Sequence, residues 1–232
     1  MIVRPLSASL YATVTPRFLT PTGLHSASFG EEPSGLDPEF DHIVRIAHHW
    51  VMARSDLLQI AAVQQGYFRT RQALEAGWTR RALNWAAHNG EIEPMRYGLY
   101  RFAHYPATPR DELHELQTIA PEGTFSHETA LMLWGLSDLL PRTTHFTVPL
   151  GSGFKPRLGI TVHHRALAAG ERTLRDGLWI TSLPRTLFDS ARAGADPDQM
   201  LAAAREARER ALLGPDELAA IAGHYPFTML ES

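Results

Sequence analysis

Arg81, Asn84, Trp85 and His88 follow one another at steps of three, one and three residues within Thr79–Asn89. On a helix of about 3.6 residues per turn this spacing gathers all four on one face and leaves Leu83, Ala86 and Ala87 on the other. Such a face can read DNA, because arginine pairs with guanine O6 and N7, and asparagine with adenine N6 and N7. Arg69, Arg71, Thr79 and Arg80 fall near helix starts, and Arg96 and Arg101 on the hairpin that follows. These places suit phosphate contacts, which position a duplex without reading it. The chemistry these residues point to is recognition rather than catalysis.

Other constellations carry less. Ser126-His127-Glu128 has the letters of a catalytic triad, but consecutive helical residues point about 100° apart and cannot form a relay, so Ser126 is expected to cap a helix. His163 and His164 are neighbours on an expected strand and face opposite sides, which prevents them from gripping one metal together. The loop GSGFKPR lacks the spacing and the Lys-Ser/Thr ending of a nucleotide-binding loop and reads as a hairpin loop open to contact with nucleic acid. Arg185 and Asp189 stand four apart, as a local helical ion pair would. Trp134, Leu131 and Leu136 have core spacing. No enzyme, no cofactor and no metal is expected.

The elements that must position the reading face are visible in the pattern. Ser55 caps a helix carrying Leu57, Leu58, Ile60, Ala61 and Val63 and ending at Gly66. Thr70 opens a short helix that Gly77 ends, and Thr79 opens the next, ended by Gly90. EIEPMRYGLYRFA then alternates around Tyr97-Gly98 as two strands. Three helices and a hairpin in this order predict a winged helix-turn-helix over residues 52–105. Pro106 and Pro109 mark a linker. Beyond it come helices over 111–120, 126–136, 183–193, 197–213 and 215–222, and strands in HFTVPL, GITVHHRAL and LWITSL. The fold class expected is therefore α+β, with a mixed α/β domain over 106–232. Residues 1–51, rich in Ser, Thr, Pro and Gly at their start, read as an unstructured leader, with Met52 as the natural start.

Charge sharpens this picture. The chain of 232 residues has a net charge of −3, yet residues 54–105 hold seven arginines against four acids, while 106–232 hold 12 basic and 16 acidic groups. A basic module beside an acidic one fits a DNA reader with a partner domain. With no cysteine there is no disulfide, thiolate metal site or cysteine nucleophile. Prolines and charges interrupt every apolar run, so no membrane span and a bacterial cytoplasmic setting are expected.

GYFRTRQALEAGWTRRALNWAAHNGEIEPMRYGLYRFA, FSHETALMLWGLSDLLPRTTHFTVPL and LWITSLPRTLFDSA together resemble the AbiEi-type antitoxins of type IV toxin–antitoxin systems and related predicted transcriptional regulators. The resemblance runs from residue 55 to about residue 215. It implies a winged helix that represses its own operon at inverted repeats of double-stranded DNA, with a homodimer on the operator. It also implies a C-terminal domain that neutralises a nucleotidyltransferase-like toxin without forming a stable complex. The reading helix departs from the pattern in having Asn84, Trp85, His88 and Asn89 where arginines are usual, and fewer cations release fewer counterions on binding. Two other classes remain open: a DNA-targeted nuclease or nucleotide-processing enzyme, against which Asp138, Asp176 and Asp189 are scattered, and a protein-interaction module, suggested by the outward Trp85.

Overall fold

A 25-residue helix, α1 (Pro38–Ala62), opens the described chain. The computed structural model describes residues 38–136, 141–155, 157–224, 226 and 227. Contacts separate Met1–His42 from Ile43–Ser232, and all the described sheets and later helices lie in the second unit. The first helix thus begins well before Ser55, and the expectation of an unstructured leader fails for residues 38–51; residues 1–37 lie outside the described residues. Ala53, Leu57 and Ala61, four apart, form its buried stripe. Trp50 meets Trp78 edge-on at 6.3 Å between ring centroids, and Trp78 Nε1 donates to the carbonyl of Ala53 at 3.1 Å. A chain beginning at Met52 is therefore expected to be less stable than one beginning at Pro38, by about 0.5–1.5 kcal/mol from the ring pair alone. Urea midpoints of the two chains check this, and equal midpoints would show that Trp50 adds nothing.

After α1 come β1 (Tyr67–Arg69), α2 (Thr70–Glu75), α3 (Arg80–His88), β2 (Ile92–Arg96) and β3 (Leu99–Phe102). β3 lies between β1 and β2 and is antiparallel to both. Helix, strand, two helices and a two-stranded wing make a winged helix-turn-helix, with β1 added to the expected set. Gly66 (φ +87°) turns the chain into β1, and an added Cβ would stand 2.6 Å from the Tyr105 ring, so a side chain is excluded there. Leu57, Phe68, Ala73, Trp78, Leu83, Ile92 and Phe102 pack as one apolar cluster behind α3.

The remaining elements complete the α+β fold: α4 (Asp111–Ile119), β4 (Thr124–Phe125), α5 (His127–Trp134), β5 (Thr144–Val148), β6 (Ile160–His164), β7 (Arg172–Arg175), β8 (Leu178–Thr181), α6 (Leu183–Arg192), α7 (Pro197–Glu209) and α8 (Pro215–Ala222). The strands form one sheet in the order β6-β5-β4-β8-β7. Phe125, Phe146, Val148, Leu178 and Ile180 pack with Leu116 and Leu133, while Leu131, Leu187, Ala204 and Ile221 belong to a second, helical cluster. Leu131 and Leu136 are buried as expected, and Trp134, partly exposed, donates Nε1 to the carbonyl of Thr181. Among the described residues no helix is long and apolar enough to cross a membrane.

Two local expectations are corrected. The loop containing GSGFKPR is not a hairpin loop, because β5 and β6 pair in parallel, with Thr147 opposite His163. Eleven residues, 149–159, join them. They reach about 36 Å when extended, enough to return along a strand of about 17 Å without a crossover helix. Ser126 occupies the N-cap position of α5, but its hydroxyl makes no capping bond. It contacts His127 Nδ1 at 2.9 Å and accepts from Thr147 Oγ1 at 2.8 Å.

Candidate nucleic-acid interface

Local chemistry fixes α3 at both ends. Gly77 (φ +89°) makes the turn out of α2, and Thr79 takes the N-cap position, its hydroxyl oxygen accepting from the Ala82 N–H at 3.1 Å. At the far end Asn89 Nδ2 donates to the carbonyl of Trp85 at 2.8 Å, and Gly90 (φ +71°) leads the chain away. Ala82, Leu83 and Ala86 are buried, while Arg80, Arg81, Asn84, Trp85 and His88 are exposed. At about 100° per residue these five cover an arc of about 140° in the order Arg80, Asn84, His88, Arg81, Trp85. The four side chains that sequence spacing placed on one face do share it.

A concave groove of about 740 Å³ runs between α2, the Arg80 edge of α3 and the wing. Arg69, Arg71, Arg80, Arg96 and Arg157 line it with Asn84, and no carboxylate is among its lining residues. A negatively charged chain thus concentrates positive charge in one concavity, which focuses the field on an anionic ligand. Arg157 is not named among the expected phosphate contacts, although its loop reads as open to nucleic acid. It arrives from the loop between β5 and β6, and only the folded arrangement of the two sheets brings it to the wing.

The expected phosphate contacts fare differently. Arg71 and Arg80 are exposed, Arg71 lying 3.4 Å from Glu75 on its own helix. Arg69 Nη1 donates to the carbonyl of Ile119 at 3.3 Å, and Arg96 pairs with Glu115, so both reach from the winged helix to α4 while still lining the groove. Arg101 is a correction. It is buried, its Nη2 donates to the carbonyl of Pro106 at 2.7 Å and lies 3.4 Å from Asp111, and its guanidinium sits over Tyr67. The reason is register: Arg101 lies opposite Tyr67 and Glu93 on the central strand β3, not at the wing tip. It ties the winged helix to the linker and has no side chain to offer a duplex.

Trp85, at the other edge of the arc, lines an apolar notch with Trp50 and Trp78. The elements and their order are those of a winged helix-turn-helix. Residues 55–103 match the family described as transcriptional regulator, AbiEi antitoxin. The match covers the end of α1, the helix-turn-helix and the wing, and it supports the resemblance read from the same residues. No curated protein matches the chain. Beyond the AbiEi-matched segment, the second sheet carries its own polar centre.

That centre was not legible in the sequence. His127 at the start of α5, His145 on β5 and His163 on β6 converge, with ring centroids 3.9 Å apart for His127 and His163 and 5.3 Å for the other two pairs. His145 Nδ1 lies 3.1 Å from His163 Nε2. Burial, reinforced by His163, lowers the His127 pKa to about 4. Burial also lowers those of His145 and His163. His163 and His164 do face apart, as strand geometry requires. The partners of His163 come instead from other elements, so the expectation of no metal-competent cluster rested on the wrong pair. Of the carboxylates weighed for a nuclease, Asp176 pairs with Arg110 at the surface and Asp189 is buried among arginines. Asp138 lies outside the described residues.

Proposed function

We propose that this protein is an autorepressing DNA-binding regulator, the antitoxin of a type IV toxin–antitoxin pair, with α3 in the major groove of its operator. In this reading residues 52–105 form the DNA-reading module and 106–232 the antitoxin part. A homodimer occupies inverted repeats, and the toxin is countered without a stable complex. The observation that carries it is the groove between the reading helix and the wing, lined by five arginines and, among the described residues, by no carboxylate. Arg80, Arg81 and Arg157 make no ion pair among the described residues, so phosphates are their natural counterions. Arg81, Asn84, Trp85 and His88 face the bases, and Arg69, Arg71, Thr79, Arg80 and Arg96 hold the backbone.

The test is a gel shift of the region upstream of the gene, titrated against salt. Removing one phosphate-binding cation lowers the slope of log affinity on log salt by about 0.9, which is about eightfold at 0.1 M. Arg80→Ala with Arg157→Ala is therefore expected to reduce the slope by about 1.8 and affinity by about 60-fold. An unchanged slope would take these side chains out of the interface. Failure of the unaltered protein to shift any duplex would favour the second reading, a protein-interaction module. The observation behind that reading is the notch where exposed Trp50 and Trp85 stand together.

A further inference from the structure

We propose that His127, His145 and His163 form a binding site for a divalent transition-metal ion of the zinc type. Three imidazoles from a helix and two parallel strands offer one nitrogen each, and these donor atoms all lie within 4.8 Å of one another. Zinc held at about 2.0–2.1 Å by two imidazoles in a tetrahedron separates their nitrogens by about 3.3–3.4 Å. The 3.1 Å between His145 Nδ1 and His163 Nε2 is already close to that edge. A metal takes the place of the proton now shared there, and that proton moves to the other nitrogen of its own ring, so that His145 carries its proton on Nε2 and His163 on Nδ1. The rings lie 14–29° from parallel, so each turns about its Cβ–Cγ bond to aim a lone pair at the common centre.

The surroundings suit ligation. In the tautomer that donates Nδ1–H to Ser126 Oγ, His127 presents a bare Nε2, and Ser126 is itself fixed by the donated Thr147 hydroxyl. A ligand imidazole oriented by a hydrogen bond on its other nitrogen is the usual arrangement at metal sites. His127 also has φ +51°, a left-handed conformation that a buried residue other than glycine seldom adopts and that recurs at functional centres. Parallel pairing sets Thr147 against His163, which puts His145 and His163 on the same face of the sheet, away from Phe146 and Val162. Imidazole ligands select zinc and its first-row neighbours over magnesium or calcium. Three protein ligands leave a fourth position for water or a small anion.

The test uses the full chain, stripped by chelator and titrated with Zn²⁺ and Co²⁺. One equivalent of Zn²⁺ is expected to bind saturably and raise the melting temperature, and Co²⁺ is expected to give the visible bands of a low-symmetry imidazole site. His145→Gln and His163→Gln should each weaken binding by more than the roughly 100-fold upper end for losing a mere orienting partner. His164→Gln, on the opposite face, should bind like the unaltered chain. Absence of a saturable equivalent and of the cobalt bands in the unaltered chain overturns the proposal, whether or not the variants fold. Undiminished binding in both His145→Gln and His163→Gln overturns it as well. None of these outcomes depends on DNA binding, so the regulator reading stands or falls separately.

Discussion

Replacing Asp189 by alanine is expected to lower the stability of the fold by about 3–5 kcal/mol, the usual cost of stranding the partner of a buried ion pair. Asp189 accepts from Arg185 Nε at 2.7 Å and Nη2 at 2.6 Å, and Arg165 Nη1 reaches it at 3.2 Å. The side chains of Asp189 and Arg185 are 5% and 10% exposed, so water cannot replace the missing carboxylate. Glu171, 3.1 Å from Arg185, would be the remaining counterion; its own carboxyl is held below the usual range, first by the Ala168 N–H and then by Arg185. Removing Arg185 together with Asp189 should cost less than the sum of the two single substitutions, because neither charge is then left alone. The exposed pair Arg110–Asp176, with side chains 42% and 61% accessible, is the contrast; Asp176→Asn, which removes the charge and suits the φ of +50° there, should cost no more than about 1 kcal/mol. Urea unfolding of the three single substitutions and the double one measures the differences. If Asp189→Ala moves the midpoint no further than Asp176→Asn, the network is not holding α6 in place.

That pair shows how far a sequence can be read. The four-residue step from Arg185 to Asp189 announced a local ion pair, and the pair is there. Nothing in the step revealed that it is buried, or that its further partners, Arg165 and Glu171, come from the connection after β6. The winged helix was legible where capping residues, glycine stops and helical period agreed, as they do from Thr70 to Gly90. Its start misleads because the Ser- and Pro-rich composition of the first residues extends the reading of a leader through residue 51, although Phe40, Ile43, Val44 and Ala47 already step at helical intervals. β1 and β4, of three and two residues, are too short to carry an alternation. The histidine centre and Arg157 share a cause. Both depend on β5 and β6 running parallel, and a loop without helical period between two strands reads as a hairpin by default.

Arg81→Ala with Asn84→Ala is expected to remove about 2–6 kcal/mol of preference for the operator over unrelated DNA, at about 1–3 kcal/mol for each bidentate base contact. The two residues flank the middle of the exposed arc on α3, Asn84 toward the groove that the wing closes and Arg81 toward α1. They also lie in the first half of the helix, the part that reaches base edges when such a helix enters the major groove. His88 is central in the arc but sits in the last turn, and Trp85 stands at its edge against the notch with Trp50. Single substitution of either should therefore matter less than the paired change. The signature separates reading from holding. The double variant should retain most of its affinity for unrelated duplex, with a salt slope reduced by no more than a single cation's share, whereas removal of Arg80 and Arg157 should weaken operator and unrelated DNA alike. Competition gel shifts with operator and scrambled duplexes at two salt concentrations distinguish the patterns. If Arg81→Ala with Asn84→Ala weakens both duplexes equally, these side chains touch the backbone, and the bases are read by some other part of the surface.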